Sequence, residues 1–413
     1  MIDNELQNKK NLVIVCALFY PTKHIAAFRL NSIVKYWNQN NYEVKVYAYG
    51  EVNSTFEYYG ARVHTIVGSK IFRIRKQQPK MSKWKHNLYS LNNKIIRFFS
   101  KEDYPGWQRN VINFIRKENS KIDVLFTSFS PVDSHLIGLE LKEFYKNSFW
   151  IADMRDEMSQ NQMLSEIERQ YYFKIERKVL VNANLITAVS APIIEGFKRD
   201  TGLIKCDFLE VRNGFDHDIE PTEEKGEVFT FIYAGTFYGN RKPNTFFEAL
   251  VELQLDGKLP NNWGIVFIGT PRNFDIPPSI ESNVNFLDQM DNVEVINKLC
   301  QADCQLLIHP PSAAKGIFTG KLFDYLSVKR PILALVDPND VAASLIKQYK
   351  SGFVCDFYSK EEIKSGILDS ILVWKGELQL DFESEQIKLL HRKKQVETLY
   401  SFVSERINDK SDE

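Results

Sequence analysis

Two stretches place cations where a strand gives way to a helix, which is the chemistry of holding a diphosphate. In AGTFYGNRKP (234–243), Arg241 and Lys242 stand at the start of a helical pattern, just after Gly235 and Thr236. In KGIFTGKLFDYL (315–326), Gly316 and Gly320 permit close backbone approach, Lys321 adds a charge, and Asp324 puts a carboxylate about one turn in. Cations beside the free N–H groups of a helix start suit phosphate oxygens, and a nearby carboxylate suits ribose hydroxyls. The second stretch is not a P-loop. Three residues rather than four separate its glycines, and Leu322 follows the lysine where a Ser or Thr would reach Mg²⁺.

The first half of the chain offers a second set of candidates. FYPTKHIAAFRL carries His24 and Arg29 near a probable helix start and lacks the GxGxxG of a dinucleotide site. Surface and functional roles for His24 are both open. SFSPVDSHLIGLEL places His135 in the first turn of a helix, where a structural role competes with a functional one. ADMRDEMSQ ends a buried strand with Asp153, Arg155 and Asp156. Three charges there are costly unless paired or lining a cleft. Asp216-His217-Asp218 matches a metal-nucleotide DxD pattern but lies in a linker, so it reads as incidental.

The elements that must position these residues follow one rhythm: apolar strand, loop, amphipathic helix. Strands are expected at 12–18, 43–49, 122–128, 149–153 and 185–190, with helices at 25–38, 132–145, 160–182 and 191–200. After the polar stretch 211–227 the rhythm restarts. Strands follow at 229–235, 264–269, 284–288, 304–309 and 331–336, with helices at 243–254, 291–301, 319–327 and 339–349. Helical patterns at 360–374 and 383–408 close the chain. Strand–helix alternation implies βαβ units and a parallel sheet covered on both faces. The expected fold class is α/β: two successive doubly wound domains of similar size joined at 211–227, with ligand in the cleft between them.

Bulk properties narrow the function. The 413 residues carry 53 basic and 53 acidic side chains, a balance that argues against a general nucleic-acid binder. Five scattered cysteines without CxxC spacing fit a reducing compartment. Cys300 and Cys304 read as core, not metal ligands. No stretch reaches the ~20 apolar residues of a membrane span, and the N-terminus lacks signal-peptide character, so a cytoplasmic protein is expected. Residues 70–101 break the pattern, with ten Lys/Arg, no Asp/Glu, and interleaved aromatics. That segment reads as a solvated excursion, as a surface for anionic lipid or a lipid-pyrophosphate, or, least well, as an RNA contact.

Six phrases in order, SPVDSHLIGLEL, WIADMRDE, ANLITAVSAPIIEGF, VRNGFD, FIYAGTFYGNRKPNTFFEAL and GKLFDYLSVKRPILAL, resemble the GT-B glycosyltransferases, specifically glycosyltransferase family 4. The resemblance spans nearly the whole chain. It implies two Rossmann-like domains at 1–215 and 216–382, a C-terminal helix at 383–413 returning to the first, and a retaining transferase that takes a nucleotide-diphosphate sugar in the second domain and needs no metal or other cofactor. Gly235, Thr236, Arg241, Lys242, Gln289, Met290, Thr319, Gly320, Lys321 and Asp324 would bind the donor. His24 and Arg29 would face the acceptor, with His135, Asp153, Arg155 and Asp156 at the reaction centre. The chain departs from the family at three places. Thr236 stands where the family has a phosphate-binding Arg, Gly316 where it has the first of two glutamates, and IAAFR where it has a glycine pair. Lys242 matches the family lysine, and Arg241 is positioned to replace the missing Arg. A lipid-linked glycan acceptor at the inner membrane face, feeding capsule or O-antigen synthesis, is the expected partner. A nucleotide-sugar epimerase and an inactive sugar- or nucleotide-binding homologue are the alternatives.

Overall fold

The computed structural model describes residues 9–22, 24–37, 42–69, 82, 84, 103–161, 164–199, 205–219, 226–237, 241–311 and 316–409. The basic-aromatic segment 70–101 lies outside the described residues, apart from Ser82 and Trp84. The chain divides into two compact units, Met1–Arg212 with Val396–Glu413, and Asn213–Gln395.

The first unit is built on an eight-stranded sheet. Its strands are β1 (Lys10–Cys16), β2 (Tyr42–Tyr49), β3 (Ser54–Tyr58), β4 (Ala61–Ile66), β5 (Val124–Ser128), β6 (Phe149–Arg155), β7 (Leu185–Ala188) and β8 (Asp207–Glu210). Their order is β3-β4-β2-β1-β5-β6-β7-β8, parallel except for the β3–β4 hairpin. The helices are α1 (Ile25–Trp37), α2 (Trp107–Glu118), α3 (Asp133–Phe144), α4 (Glu166–Asn182) and α5 (Ala191–Arg199). Central strands such as β5 are buried along their whole length, which is why they read as unbroken apolar runs. The start of α4 at Glu166, not near 160, has a local cause. Ser165 and Glu168 form a reciprocal capping box that satisfies the first free N–H groups.

The second unit carries a six-stranded parallel sheet in the order β11-β10-β9-β12-β13-β14. These strands are β9 (Phe229–Ala234), β10 (Trp263–Ile268), β11 (Val284–Leu287), β12 (Cys304–Ile308), β13 (Ile332–Val336) and β14 (Gly352–Asp356). Its helices are α6 (Asn244–Leu255), α7 (Asn292–Gln301), α8 (Gly320–Ser327), α9 (Val341–Gln348), α10 (Lys360–Lys375) and α11 (Ser384–Lys388). The last helix, α12 (Arg392–Asp409), contributes Val396, Leu399 and Val403 to the core of the first sheet.

Strand order decides where a ligand belongs. In each sheet the winding reverses beside the first strand of the unit, between β1 and β5 and between β9 and β12. Open α/β sheets bind ligands in the crevice beyond the carboxyl ends of the strands at such a reversal. The residues to inspect are therefore those just after β1, β5, β9 and β12.

Candidate functional site

In the second unit, Gly235 ends β9 with φ +105°, a conformation that favours glycine. Two hydrogen bonds hold its peptide: its N–H donates to Ile268 O at 2.7 Å, and its carbonyl accepts from Thr270 Oγ1 at 2.6 Å. The Ala234 N–H donates to the Tyr325 hydroxyl at 3.0 Å, so α8 also grips the end of β9. A Cβ at 235 would stand 2.8 Å from Lys321 Cε and 3.1 Å from Nζ, because the lysine side chain lies directly across this position.

Lys321 itself has settled on an aromatic ring. Its Nζ donates to the Tyr233 hydroxyl at 2.5 Å and lies 3.9 Å from the Tyr233 ring centroid. Burial and then the charge of Arg241 push its ammonium down to about 7. Arg241 therefore shares the site, although the two residues stand 80 positions apart. Among the described residues no carboxylate forms an ion pair with Arg241, Lys242 or Lys321. Lys242 is exposed at the approach to α6, whereas Arg241 is half-buried. Thr236, at the position of the missing arginine, spends its hydroxyl on a long bond to Gly269 O at 3.4 Å.

His309, immediately after β12, completes the cluster and was not among the expected residues. Its backbone N–H donates to Leu335 O at 2.9 Å, while its buried Nδ1 has no hydrogen-bond partner. Burial, with Arg241 and Lys321 adding to it, pushes the ring down to about 4, and Asp340 opposes them. Asp340 caps α9 and was also missed. Its Oδ1 accepts from Val341 N at 2.7 Å and from Gly316 N at 3.0 Å. Gly316 has φ +90°, so the backbone here favours glycine where the family glutamate was sought. A histidine directly after an apolar strand was the available sequence signal for His309; Asp340 gave none before the fold was known.

The remaining donor-side residues flank this centre. Thr319 is the N-cap position of α8, and Gly320 opens the helix with open space around it. Asp324, half-buried on α8, is pushed up to about 6 by burial, with Arg392 opposing. Gln289 is exposed, and its Cα lies 3.6 Å from the Cβ position of Gly269; Met290 is half-buried. The Asp-His-Asp stretch is engaged structurally. The His217 ring pairs with Ser327 Oγ at 2.8 Å, and Asp216 lies 3.9 Å from His391.

In the first unit, Asp153 and Arg29 meet each other, not solvent. Arg29 Nη2 and Nε donate to Asp153 Oδ1 and Oδ2 at 2.8 and 3.1 Å, and Nη1 donates to Val211 O at 2.8 Å. Ser128 and Thr187 hydroxyls add bonds to the same carboxylate at 2.9 and 2.8 Å. Although burial works against it, the arginine holds this carboxyl below the usual range. Both side chains are buried, Asp153 completely. This is a paired framework charge tying β6 to α1, β5 and β7.

His135 is reached through α3. A Cβ at Gly138 would lie 2.6 Å from Trp150 Cζ2 and 2.8 Å from Thr127 Cγ2, so the helix sits down on β5 and β6. His135 Nδ1 is 2.8 Å from Thr127 Oγ1, which also accepts from Trp150 Nε1 at 2.9 Å. The indole only donates, so Thr127 Oγ1 is an acceptor toward Trp150 and shares one hydrogen with His135 Nδ1 in whichever direction the ring tautomer sets. The ring's Nε2 is buried and has no hydrogen-bond partner. Burial pushes the ring down to about 4, so it is neutral near neutral pH.

Arg155 takes φ +55° at the end of β6, where the register to β7 shifts, and its Nη2 lies 3.4 Å from the half-exposed Asp156. The loop beyond is anchored by Glu176, fully buried on α4, which accepts from Ser159 N and Oγ at 2.9 and 2.8 Å. His24 is exposed and accepts a bond from Ala26 N at 3.2 Å.

Structural comparison decides the fold. The trehalose-6-phosphate protein from E. coli bound with UDP-2-fluoro glucose matches with a TM-score of 0.63 and 9% identity, over 95% of this chain and 98% of its own. The lipopolysaccharide outer core galactosyltransferase WaaB matches at 0.58 and 13% identity, over 96% and 99% of the two chains. The α,α-trehalose 6-phosphate synthase from Burkholderia multivorans matches at 0.61 and 8%, over 98% of each. The chain has the GT-B fold. No protein-family model matches it, and no curated protein sequence does. Within GT-B, the cluster around Gly235, Arg241, His309 and Lys321 lies at the strand reversal of the second sheet, and His135 follows the strand reversal of the first.

Proposed function

We propose that this GT-B chain is a nucleotide-sugar-dependent glycosyltransferase whose second unit binds the donor diphosphate. One observation carries the reading: Arg241 and Lys321 crowd the strand reversal of the second sheet with no carboxylate ion-paired to them among the described residues, each raising the cost of charging its neighbours. An incoming dianion relieves that repulsion, and the half-buried site strengthens the attraction beyond its value in water. Lys321 crossing Gly235 supplies a cation next to Thr236, where the family arginine is missing. Asp324 suits the ribose hydroxyls.

Transfer proceeds with retention and without a protein nucleophile. The acceptor hydroxyl attacks the anomeric carbon on the face the diphosphate leaves, the anomeric C–O bond breaks, and a departing phosphate oxygen takes the hydroxyl proton. The protein positions both substrates and stabilises charge on the leaving group. His135 contributes a neutral imidazole whose Nε2 is unspent among the described residues. The buried Arg29–Asp153 pair holds the framework of the same sheet. The acceptor is a lipid-linked glycan of a cell-surface polysaccharide, assembled at the inner membrane face. Among the described residues, no helix is long and apolar enough to cross a membrane.

The test is incubation with UDP-, GDP- and ADP-hexoses, with and without lipid-linked saccharide acceptors. Acceptor-dependent release of nucleoside diphosphate, lost in R241A, supports the proposal. Acceptor-independent isomerisation of the sugar would replace it with an epimerase.

A further inference from the structure

We propose that His309 is a third phosphate-contacting side chain of this site, its ring hydrogen-bonding an oxygen of the donor diphosphate and taking up a proton as the anion binds; this rests on the donor-site reading above. The ring follows β12 at the strand reversal and is held in place by its backbone bond to Leu335. It is nine-tenths buried, yet among the described residues Nδ1 makes no hydrogen bond. A buried polar atom left unspent is costly, and such exceptions call for a ligand or a water.

The surroundings select the ligand's sign. The charges that act on the ring are Arg241 and Lys321 on one side and Asp340 on the other. Asp340 already accepts two backbone N–H groups through Oδ1, from Gly316 and Val341. Two cations against one committed carboxylate repel a metal ion and attract an anion. In the free protein, burial and those cations keep the ring neutral down to about pH 4. A bound diphosphate reverses the local potential, so the ring's affinity for a proton rises, and the ring's contribution to binding strengthens as pH falls below about 6.

The experiment follows the histidine ring resonances of the full chain while inorganic pyrophosphate, UDP, GDP or ADP is added. His309 is assigned by comparison with H309N. We expect its resonance to move on pyrophosphate addition and its titration midpoint to rise by about one pH unit or more. H309N should weaken pyrophosphate and nucleoside diphosphate binding about tenfold, while leaving binding of the matching nucleoside unchanged. A ring whose shift and midpoint ignore saturating pyrophosphate overturns the inference, as does equal affinity in H309N. If the wild-type chain binds none of these probes at millimolar concentration, the donor-site reading itself fails. Binding that bypasses His309 removes only this residue.

Discussion

Lys321→Met separates the cost of a buried cation from its use. Lowering an ammonium from 10.5 to about 7 corresponds to a ceiling of about 5 kcal/mol, at roughly 1.4 kcal/mol per pH unit. Lys321 is half-buried, so screening reduces the usable part to about 1–3 kcal/mol. The sign follows from proton binding. Between about pH 7 and 10.5 the unfolded chain keeps the lysine proton and the folded site does not, so wild-type stability rises with pH across that window. Methionine retains most of the packing and has no such slope. The variant should therefore be more stable than wild type at pH 7, with the advantage gone near pH 10.5. It should also lose about 10- to 100-fold in nucleoside diphosphate affinity, the ~1.5–3 kcal/mol of a charge-assisted hydrogen bond. Thermal unfolding at pH 7 and pH 10, with and without UDP, GDP and ADP, reads both effects. A variant less stable than wild type at pH 7 that keeps its ligand-induced stabilisation would refute the reasoning.

Asp153→Asn leaves Arg29 buried without its countercharge and should cost about 3–5 kcal/mol. The carboxylate's contribution, present above its unfolded-state value near 4, should fade as wild type is acidified below that value, a trend urea titrations at several pH values would detect. Gly138→Ala should push α3 off Trp150 and Thr127, costing about 1–3 kcal/mol and shifting the His135 ring resonances. Asp340→Ala removes the cap of α9, worth about 1 kcal/mol, and releases Gly316 N. Nucleoside diphosphate affinity should drop with it, as calorimetry would show.

Much of the fold was legible because the central parallel strands are largely apolar, and helices such as α4, α7 and α10 open on side-chain caps. Four elements were not anticipated: the β3–β4 hairpin, α2, β8 and β14. β3 and β8 are only partly buried, and β14 opens on a glycine, so none shows a long apolar run. The expected helix at 383–408 is two helices, α11 and α12, interrupted where Phe215 and Leu390 backbones bond across the close approach at Gly214. That Asp153 pairs with Arg29 was not legible, because a contact across 124 positions leaves no local trace. The same blindness hid the value of Gly235, which depends on a lysine 86 positions away, and of His309, whose exposure and neighbours emerge only from the strand order.

The central claim is that the strand reversal of the second sheet is an anion site for a nucleotide-linked diphosphate. Titration of wild type, R241A and K321M with UDP, GDP and ADP tests it most directly. The account predicts saturable binding of at least one by wild type and at least a tenfold loss in each variant. Affinity unchanged in both variants would contradict it.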